Sequence, residues 1–249
     1  MSEAITQNTG TIGGRSVLEG AFALLEVLAH GNEMGLTQLA VAAGLPKATA
    51  YRLLNQLVAE GAVQRREGRY RIGPRVFRLG QTWQPARLLR AASARPLRQL
   101  TAAFDRGGFS LATTDRGHTM LIGGIGREID EIFPLRPGVL LPPGTAAEQV
   151  LAFGHPNPTP PEGFSAREWS RRVDMSDGDL AYDTDMSRFP LACVAAPVHG
   201  PAGEIVAALA ATVAEVQRIP AAAEAVKRAA GLVSTNLTKL LRSHGMLTL

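Results

Sequence analysis

The residues with the clearest capacity for chemistry lie on the polar face of one predicted helix, in the sequence PKATAYRLLNQLVAEG (46–61). The apolar residues of this segment recur at helical spacing, so the opposite face must point outward. A solvated helix face usually pairs Glu with Lys, but this one has no acid before Glu60 and is predicted to press against a partner. Its outward residues are small residues, amides, a phenol and a guanidinium: Ala48, Thr49, Tyr51, Arg52, Asn55, Gln56 and Ala59.

These outward groups suit the edges and the backbone of DNA. A guanidinium binds guanine bidentately and a carboxamide binds adenine, while hydroxyl and phenol groups reach phosphates. We therefore expect Arg52 to contact guanine and Asn55 or Gln56 to contact adenine, with the alanines allowing close approach. Lys47 would lie near the phosphates, beside the positive end of the helix. The alternative is that this face packs elsewhere in the protein, and the basic segment that follows argues against it.

The charge of the chain is unevenly distributed. Residues 1–98 hold 13 Lys and Arg against six Asp and Glu, whereas residues 99–249 hold 13 against 16. Positions 62–98 contain ten arginines and a single acid, Glu67. A solvated surface is the ordinary explanation of a charge run. A basic half joined to a mildly acidic half instead favours a chain that meets a polyanion at one end.

Short helices must position the basic face. Apolar residues at helical spacing predict helices over 15–31 and 36–44. Thr37 is expected as the N-cap of the second helix, and Gly44 as the left-handed residue that ends it. Pro46 is expected at the first position of the third helix, where its missing N–H costs nothing.

A basic hairpin is predicted after the third helix. The segment AVQRREGRYRIG (62–73) alternates around Glu67-Gly68, which is typical of two short strands and a two-residue turn. Two helices joined by a tight turn, a third helix and a hairpin make a winged helix-turn-helix, whose third helix enters the major groove. The predicted DNA contacts are Thr37, Gln38, Pro46, Lys47, Ala48, Thr49, Tyr51, Arg52, Asn55, Gln56, Arg65, Arg66, Arg69 and Arg71.

The second half of the chain is predicted to be a mixed α/β domain. Its predicted elements are a basic, partly helical connector interrupted near Pro85 (73–92), a helix (93–105), two hairpins turning at 115–117 and 199–203, and a terminal helix (220–243). Residues 154–188 show no readable elements. An antiparallel sheet with helices on its faces is the natural assembly of these parts.

Two stretches of the basic half, LTQLAVAAGLPKATAYRLLNQLVAEGAVQR (36–65) and GRYRIGPRVFRLG (68–80), resemble the amino-terminal module of IclR-type bacterial transcriptional regulators. The resemblance continues in RPGVLLPPGTAAEQVLAF (136–153) and CVAAPVHGPAGEIVAALAAT (193–212), so it covers nearly the whole chain. It implies an α/β (α+β) protein that binds operator DNA as a homodimer or a dimer of dimers. We expect a ligand-responsive regulator, acting as a repressor on a pseudo-palindromic operator.

The resemblance also implies a domain order that fits the charge distribution. Residues 14–73 would be the winged helix-turn-helix, residues 74–92 a linker helix, and residues 93–249 a GAF-like domain that binds an effector and oligomerises. Carried over by motif, the effector contacts are Ala146, Ala147, Asp183, Leu191, Cys193, Ala210 and Thr212. Glu148-Gln149 stands where the family usually has Gly-Lys. An acid there argues against a strongly anionic effector and leaves a small organic acid, a neutral metabolite or none.

Other functions find less support in the sequence. Cys193, the single cysteine, excludes an intramolecular disulfide and reads as a buried hydrophobe or a cavity wall. A thiol hydrolase using Cys193 with His118 or His199 is the alternative from another class, and a second domain that only oligomerises is the alternative within the class. No enzymatic activity, cofactor or metal is expected. The amino terminus lacks an apolar core typical of a signal peptide, so we expect a cytoplasmic protein with no membrane partner.

Overall fold

The computed structural model describes residues 16–30, 33–155, 158–173, 175 and 180–249. These residues form two compact units that divide between Trp83 and Gln84. The predicted helix end at Gly31 and the predicted domain start at residue 14 lie outside the described residues. Within the described part of the chain, no helix is both long and apolar enough to cross a membrane.

The amino-terminal unit is a bundle of short helices with a small antiparallel sheet. Its elements are α1 (Val17–His30), β1 (Met34–Gly35), α2 (Leu36–Ala42), α3 (Lys47–Ala59), β2 (Val63–Arg66), β3 (Arg69–Ile72) and α4 (Pro74–Gly80). Leu24, Leu39 and Leu54 are fully buried at its centre, and Tyr70 of β3 closes the core. The helices pack closely, because a methyl group added at Gly20 of α1 would lie 2.9 Å from the Cδ1 atom of Leu53.

Two predicted helix starts are wrong, that of α2 by two positions and that of α3 by one. Thr37 is not an N-cap, because α2 begins directly after Gly35, whose N–H donates to the Oε1 atom of Gln38 at 3.3 Å. Pairing of β1 with β3 brings the extended chain up to Gly35, so the helix starts immediately afterwards. Pro46 precedes α3 with an extended ψ of 139°, and its carbonyl accepts the N–H of Ala50.

The tight turns of this unit are as predicted. Gly44 has a φ of +61°, the left-handed conformation expected after α2. Glu67 and Gly68 have φ values of +51° and +78°, which are those of a two-residue hairpin turn with positive φ at both positions. The sequence did not indicate β1, which pairs with the other edge of β3 and makes the wing three-stranded.

The carboxy-terminal unit is a five-stranded antiparallel sheet covered by helices on both faces. The strand order is β5-β4-β8-β7-β6. Helices α5 and α8 cover one face, and α6 covers the other together with the loops around it. The elements are α5 (Gln84–Ala103), β4 (Gly108–Asp115), β5 (His118–Ile125), a 3-10 turn (Arg127–Glu131), α6 (Ala146–Phe153), α7 (Ala166–Val173), β6 (Ala181–Asp183), β7 (Ala192–His199), β8 (Ile205–Val213), a 3-10 turn (Val216–Arg218) and α8 (Ile219–Ser243). The overall class, both hairpins and the terminal helix are confirmed.

The connector differs from its prediction. The predicted linker, residues 74–92, spans α4, a turn at 81–83 and the first part of α5. Pro85 is the second residue of α5, where a missing N–H is tolerated. Pro96 lies inside this helix, which continues without a break at 92–93. Packing of its buried stripe on the sheet and on α8 offsets the hydrogen bond that proline removes: Leu88, Leu89, Ala92, Leu97 and Leu100.

Candidate nucleic-acid interface and ligand cavity

The outward face of α3 is exposed, and its cations form no hydrogen bond or ion pair within the described part of the chain. Arg52, Asn55 and Gln56 point away from the core, and Tyr51 is 46% exposed. The side chains of Lys47 and Arg52 have no hydrogen bond or ion pair to any described residue. The opposite face is buried: Ala50, Leu53 and Leu54. This amphipathic division arises because α3 packs on α1 and α2 through one stripe only.

The four predicted wing arginines differ in their surroundings. Arg66 and Arg69 are cross-strand partners, and Arg69 donates only to the carbonyl oxygen of Glu33, which leaves its charge uncompensated. Arg71 is paired with the Glu33 carboxylate at 3.1 Å and also donates to Gln64. Arg65 lies over the buried Tyr70 ring, with its Cζ atom 5.5 Å from the ring centroid.

The amino-terminal unit therefore presents the predicted contacts as a set. All 14 lie in it, 13 exposed and Thr49 half-buried. Thr37 and Gln38 are exposed at the start of α2. The Gln38 amide oxygen accepts the N–H of Gly35, and the residue is exposed. The arrangement offers uncompensated cations and amides on rigid elements, as recognition of a polyanion requires.

A cavity of about 230 Å³ lies over the sheet of the carboxy-terminal unit, beside the start of α6. Six of the seven residues carried over by motif line it: Ala147, Asp183, Leu191, Cys193, Ala210 and Thr212. Ala146 does not line the cavity. Its side chain is fully buried in the core below, at the first position of α6.

Most of the residues that line the cavity could not be identified from the sequence. Aromatic and aliphatic side chains of three loops form the apolar part: Phe133, Leu135, Leu141, Phe164 and Phe189. Two cations also line it, Arg172 of α7 and Arg188 of the loop between β6 and β7, together with the acids Glu162 and Asp183. Both cations and Phe164 lie in the segment 154–188, whose irregular composition indicated no element, so no periodic signal could have found them.

The two arginines differ in how fully they are paired. The Nη1 atom of Arg172 lies 3.3 Å from Asp183 Oδ1, and its Nη2 atom lies 3.9 Å from Asp185. Burial raises the pKa of the Asp183 carboxyl, and the hydrogen bond from Arg172 opposes that shift. The Arg188 guanidinium stacks 4.0 Å from the centroid of Phe164 and forms an ion pair with Glu168 at 3.7 Å. Its charge also helps to lower the pKa of Asp185.

Glu148 lies outside this cavity. Its Oε2 atom accepts the N–H of Gly144 at 2.6 Å, and its side chain lines a second cavity of about 200 Å³ beside His155 and Trp169. Burial raises the pKa of this carboxyl. Glu148 therefore gives no ground for excluding an anionic ligand, contrary to the prediction, because it does not line the cavity beside Cys193. Gln149 is also structural, since it donates to the carbonyls of Gly144 and Tyr182.

Cys193 is a poor nucleophile. Burial raises the pKa of its thiol to about 12, so the thiol is protonated at neutral pH. His199 is six residues further along β7, roughly 20 Å away at about 3.3 Å per residue. His118, at the start of β5, does not line the cavity either. Neither His199 nor His118 is therefore placed to act as the base that thiol catalysis by Cys193 requires.

Comparison with known proteins relates the amino-terminal unit to one family and the fold of the chain to solved structures. Residues 17–67 match the model of the IclR helix-turn-helix domain. The glycerol operon regulatory protein of Streptomyces coelicolor is 42% identical over 77 residues, which span 30% of this chain and 30% of that protein. An IclR homolog from Microbacterium hydrocarbonoxydans, crystallised with 4-hydroxybenzoate, superposes with a TM-score of 0.76 at 19% identity over 90% of this chain and all of that one. The IclR transcriptional regulator of Alicyclobacillus acidocaldarius gives 0.67 at 20% identity, over 89% and 98%.

Proposed function

We propose that this chain, whose residues 17–67 form a helix-turn-helix domain of the IclR type, is a DNA-binding transcriptional regulator controlled by a small molecule. The observation that carries the proposal is the outward face of α3, where exposed cationic and amide side chains have no described partner. Such groups are costly to order and gain their free energy only when a complementary surface arrives. The likeness to a glycerol operon regulatory protein over 77 residues supports the same reading.

On DNA, α3 would enter the major groove and the wing would follow the backbone. Arg52 would bind guanine, and Asn55 or Gln56 adenine. Lys47, Thr49, Tyr51 and the wing arginines would meet phosphates, which set register and affinity without reading sequence. Thr37 and Gln38 would approach the backbone from the start of α2.

Two copies would act together. One winged helix buries about 600–1,000 Å² on DNA, too little for selective binding in a genome. A homodimer on a pseudo-palindromic operator doubles that surface. Large exposed side chains on α1 support self-association in this unit: Val17, Leu18 and Phe22 are 57%, 70% and 61% exposed. Dimers of dimers, and repression as the mode of control, complete the proposal.

The carboxy-terminal cavity would hold the effector. We retain residues 14–73 as the DNA-binding head, residues 74–92 as the connection and residues 93–249 as the effector and oligomerisation domain. The 4-hydroxybenzoate complex of the Microbacterium homolog supports a small-molecule role for the corresponding unit. No catalytic activity and no cofactor are proposed, and we place the protein in the cytoplasm.

The proposal is tested by selecting binding sites from random duplex DNA with the purified full-length chain. We expect an enriched inverted repeat, and sedimentation of a dimer at micromolar concentration. The absence of any enriched sequence would overturn the proposal. A monomer that binds a lone half-site at full affinity would overturn the dimeric mode alone.

A further inference from the structure

A second cavity of about 200 Å³ lies in the carboxy-terminal unit, between α6, the tip of the β4–β5 hairpin and α7. Glu148 and Leu151 of α6, Thr114 and Thr119 of the hairpin, and Trp169 of α7 line it. The described residues around it include no lysine or arginine, and none of them lines the cavity beside Cys193. The second cavity is therefore separate from the proposed effector site.

Two threonines of the hairpin face the second cavity from the sheet. Thr114 and Thr119 are cross-strand partners. They lie two residues from Ala112 and Leu121 on the same strands, which pack in the core beneath α6, and side chains two residues apart share one face of a strand. Thr119 is only 4% exposed, yet its hydroxyl has no hydrogen-bond partner among the described residues. An enclosed hydroxyl without a partner is costly, and a ligand would satisfy it.

Glu148 supplies a negative charge from the wall formed by α6. Its Oε2 atom accepts the N–H of Gly144 at 2.6 Å, and its side chain forms no ion pair with a described residue. Burial raises the pKa of this carboxyl, and the N–H of Gly144 and the charge of His118 only partly oppose that shift. A carboxylate withdrawn from water without a counter-ion is costly, and a cation in the cavity would offset that cost.

The acceptors of the second cavity match the donors of an ammonium group. A primary ammonium has three N–H donors and no acceptor, and a carboxylate oxygen and two hydroxyl oxygens can accept all three. The indole Nε1 atom of Trp169 is buried, so Trp169 offers the cavity no accessible N–H donor that would compete. An engineered cavity of roughly 150 Å³ holds benzene, so about 200 Å³ admits one ring with a short ammonium arm.

We propose that the second cavity binds a small primary amine in its protonated form, with an apolar body of about one ring, whose ammonium group donates to Glu148, Thr114 and Thr119. An anion would meet the Glu148 carboxylate, with no lysine or arginine among the described lining residues to compensate it. A neutral ligand would leave that carboxylate without a counter-ion. The proposal does not depend on the proposed function, because the two cavities share no lining residue.

The test uses the full-length chain with Trp83→Phe, which leaves Trp169, at the wall of the second cavity, as its one tryptophan. The probes are benzylamine and cyclohexylamine at pH 7.5, each paired with the neutral alcohol of the same carbon skeleton. Potassium chloride keeps the ionic strength constant. We expect both amines to change the emission of Trp169 and to raise Tm. They should bind about tenfold or more tightly than the alcohols, which lack the charge that compensates the carboxylate.

The variants locate the ammonium group. Glu148→Gln keeps an oxygen for the N–H of Gly144 but removes the charge, and is expected to reduce amine binding to the level of the alcohols. Thr119→Val keeps the shape of the side chain and should weaken amine binding several-fold. The matched control is Glu162→Gln, which removes an exposed acid of the cavity beside Cys193 and should leave amine binding unchanged. Comparison of Tm without probe shows which variants remain folded, and Thr119→Val carries the test if Glu148→Gln does not fold.

Four results would overturn the proposal. Alcohols that bind as tightly as the amines would remove the role of the charge. Amine binding that neither Glu148→Gln nor Thr119→Val weakens in folded variants would remove the assigned contacts, and amine binding lost in Glu162→Gln would move the ligand to the other cavity. The fourth is an unchanged Trp169 emission with every probe at millimolar concentration. Selection of DNA sites is unaffected by any of these outcomes, so the proposed function is tested separately.

Discussion

The outward face of α3 and the cavity of the carboxy-terminal unit hold their arginines in opposite ways. Arg52 is exposed and unpaired among the described residues, whereas Arg172 is mostly buried and paired with Asp183. A hydrated cation interacts weakly at long range and is screened by salt, while a desolvated one acts strongly over a few ångströms. The outward face of α3 therefore suits a large polyanion, whose electric field acts on exposed cations. The cavity suits one small group at one position.

The two regions also differ in their relation to stability. The residues of the α3 face support nothing behind them, so their loss should leave the fold intact. The cavity residues belong to the core of their unit, so changes there affect both packing and binding. The following predictions test this contrast, from the largest expected effect to the smallest.

The largest effect concerns thiol reactivity. With its pKa raised to about 12, Cys193 should react with iodoacetamide at pH 8 at least about a hundredfold more slowly in the folded chain than in urea, because the thiolate is the nucleophile. The control is Ala48→Cys in a Cys193→Ala chain, which places a thiol on the exposed face of α3. Equal rates of alkylation at positions 193 and 48 would show that the two thiols do not differ in solvation.

The same shift has a consequence for stability. The folded state holds the thiol proton more tightly than the unfolded state, so the free energy of unfolding should fall as pH rises from about 9 towards 12. Below pH 9 the thiol contributes no slope. Cys193→Ala should flatten that alkaline slope in urea titrations.

Within α3, the buried and exposed faces should separate cleanly. Leu54→Ala is expected to lower the free energy of unfolding by about 2–5 kcal/mol, because Leu54 is fully buried. Its exposed neighbour is the matched control, and Asn55→Ala should change stability by no more than about 0.5 kcal/mol. Urea denaturation measures both. Similar losses for the two variants would show that the facing of the helix is wrong.

Arg52→Ala should weaken binding to the selected operator by about 1–3 kcal/mol and relax specificity at one base position. Its Tm should not change. Arg95→Ala removes an exposed arginine of α5 in the other unit and should leave operator affinity nearly unchanged. An operator affinity that Arg52→Ala does not alter would contradict the assignment of α3 as the reading helix.

Filling the cavity should separate ligand response from DNA binding. Ala147→Trp or Thr212→Trp should abolish the rise in Tm that a small-molecule effector found by a thermal-shift screen of metabolites produces. The same variants should lose the coupling between effector binding and operator binding, about 1–3 kcal/mol. Unliganded operator affinity should remain within several-fold. Thr235→Trp, on the exposed side of α8, is the control. Ala147 is fully buried, so Thr212, which is half-buried, provides the variant that tolerates a larger side chain. An unaltered response to the ligand in both variants would place the effector site elsewhere.

The smallest effect is expected in the wing. Arg69→Ala should weaken binding to all DNA sequences and reduce the slope of log affinity against log salt by about one. Arg71→Ala should reduce the slope less, because the Glu33 carboxylate already compensates Arg71 at 3.1 Å. Anisotropy titrations at several salt concentrations measure both slopes. Equal slopes for the two variants would show that the ion pair between Arg71 and Glu33 breaks when the protein binds DNA.

The sequence by itself determined the elements whose signals are local. The apolar stripe of α3, the left-handed Gly44 and the Glu67-Gly68 turn could be identified because each depends on neighbours within about one helical turn. The outward residues of α3 followed from the same periodicity, since a helix with one buried face exposes the other. The hairpins and the terminal helix of the second unit were predictable for the same reason.

Only the tertiary structure decided the features that depend on distant partners. The continuity of α5 through Pro96 rests on packing against the sheet and α8, and the pairing of β1 rests on β3 more than 30 residues later. The direction of Glu148, the pairing of Arg172 and the stacking of Arg188 on Phe164 likewise follow from where loops meet. Local propensity contributes a few tenths of a kcal/mol per residue, while burial and pairing contribute several times more. Where the two compete, long-range contacts determine the structure, and the cavity is built from such contacts.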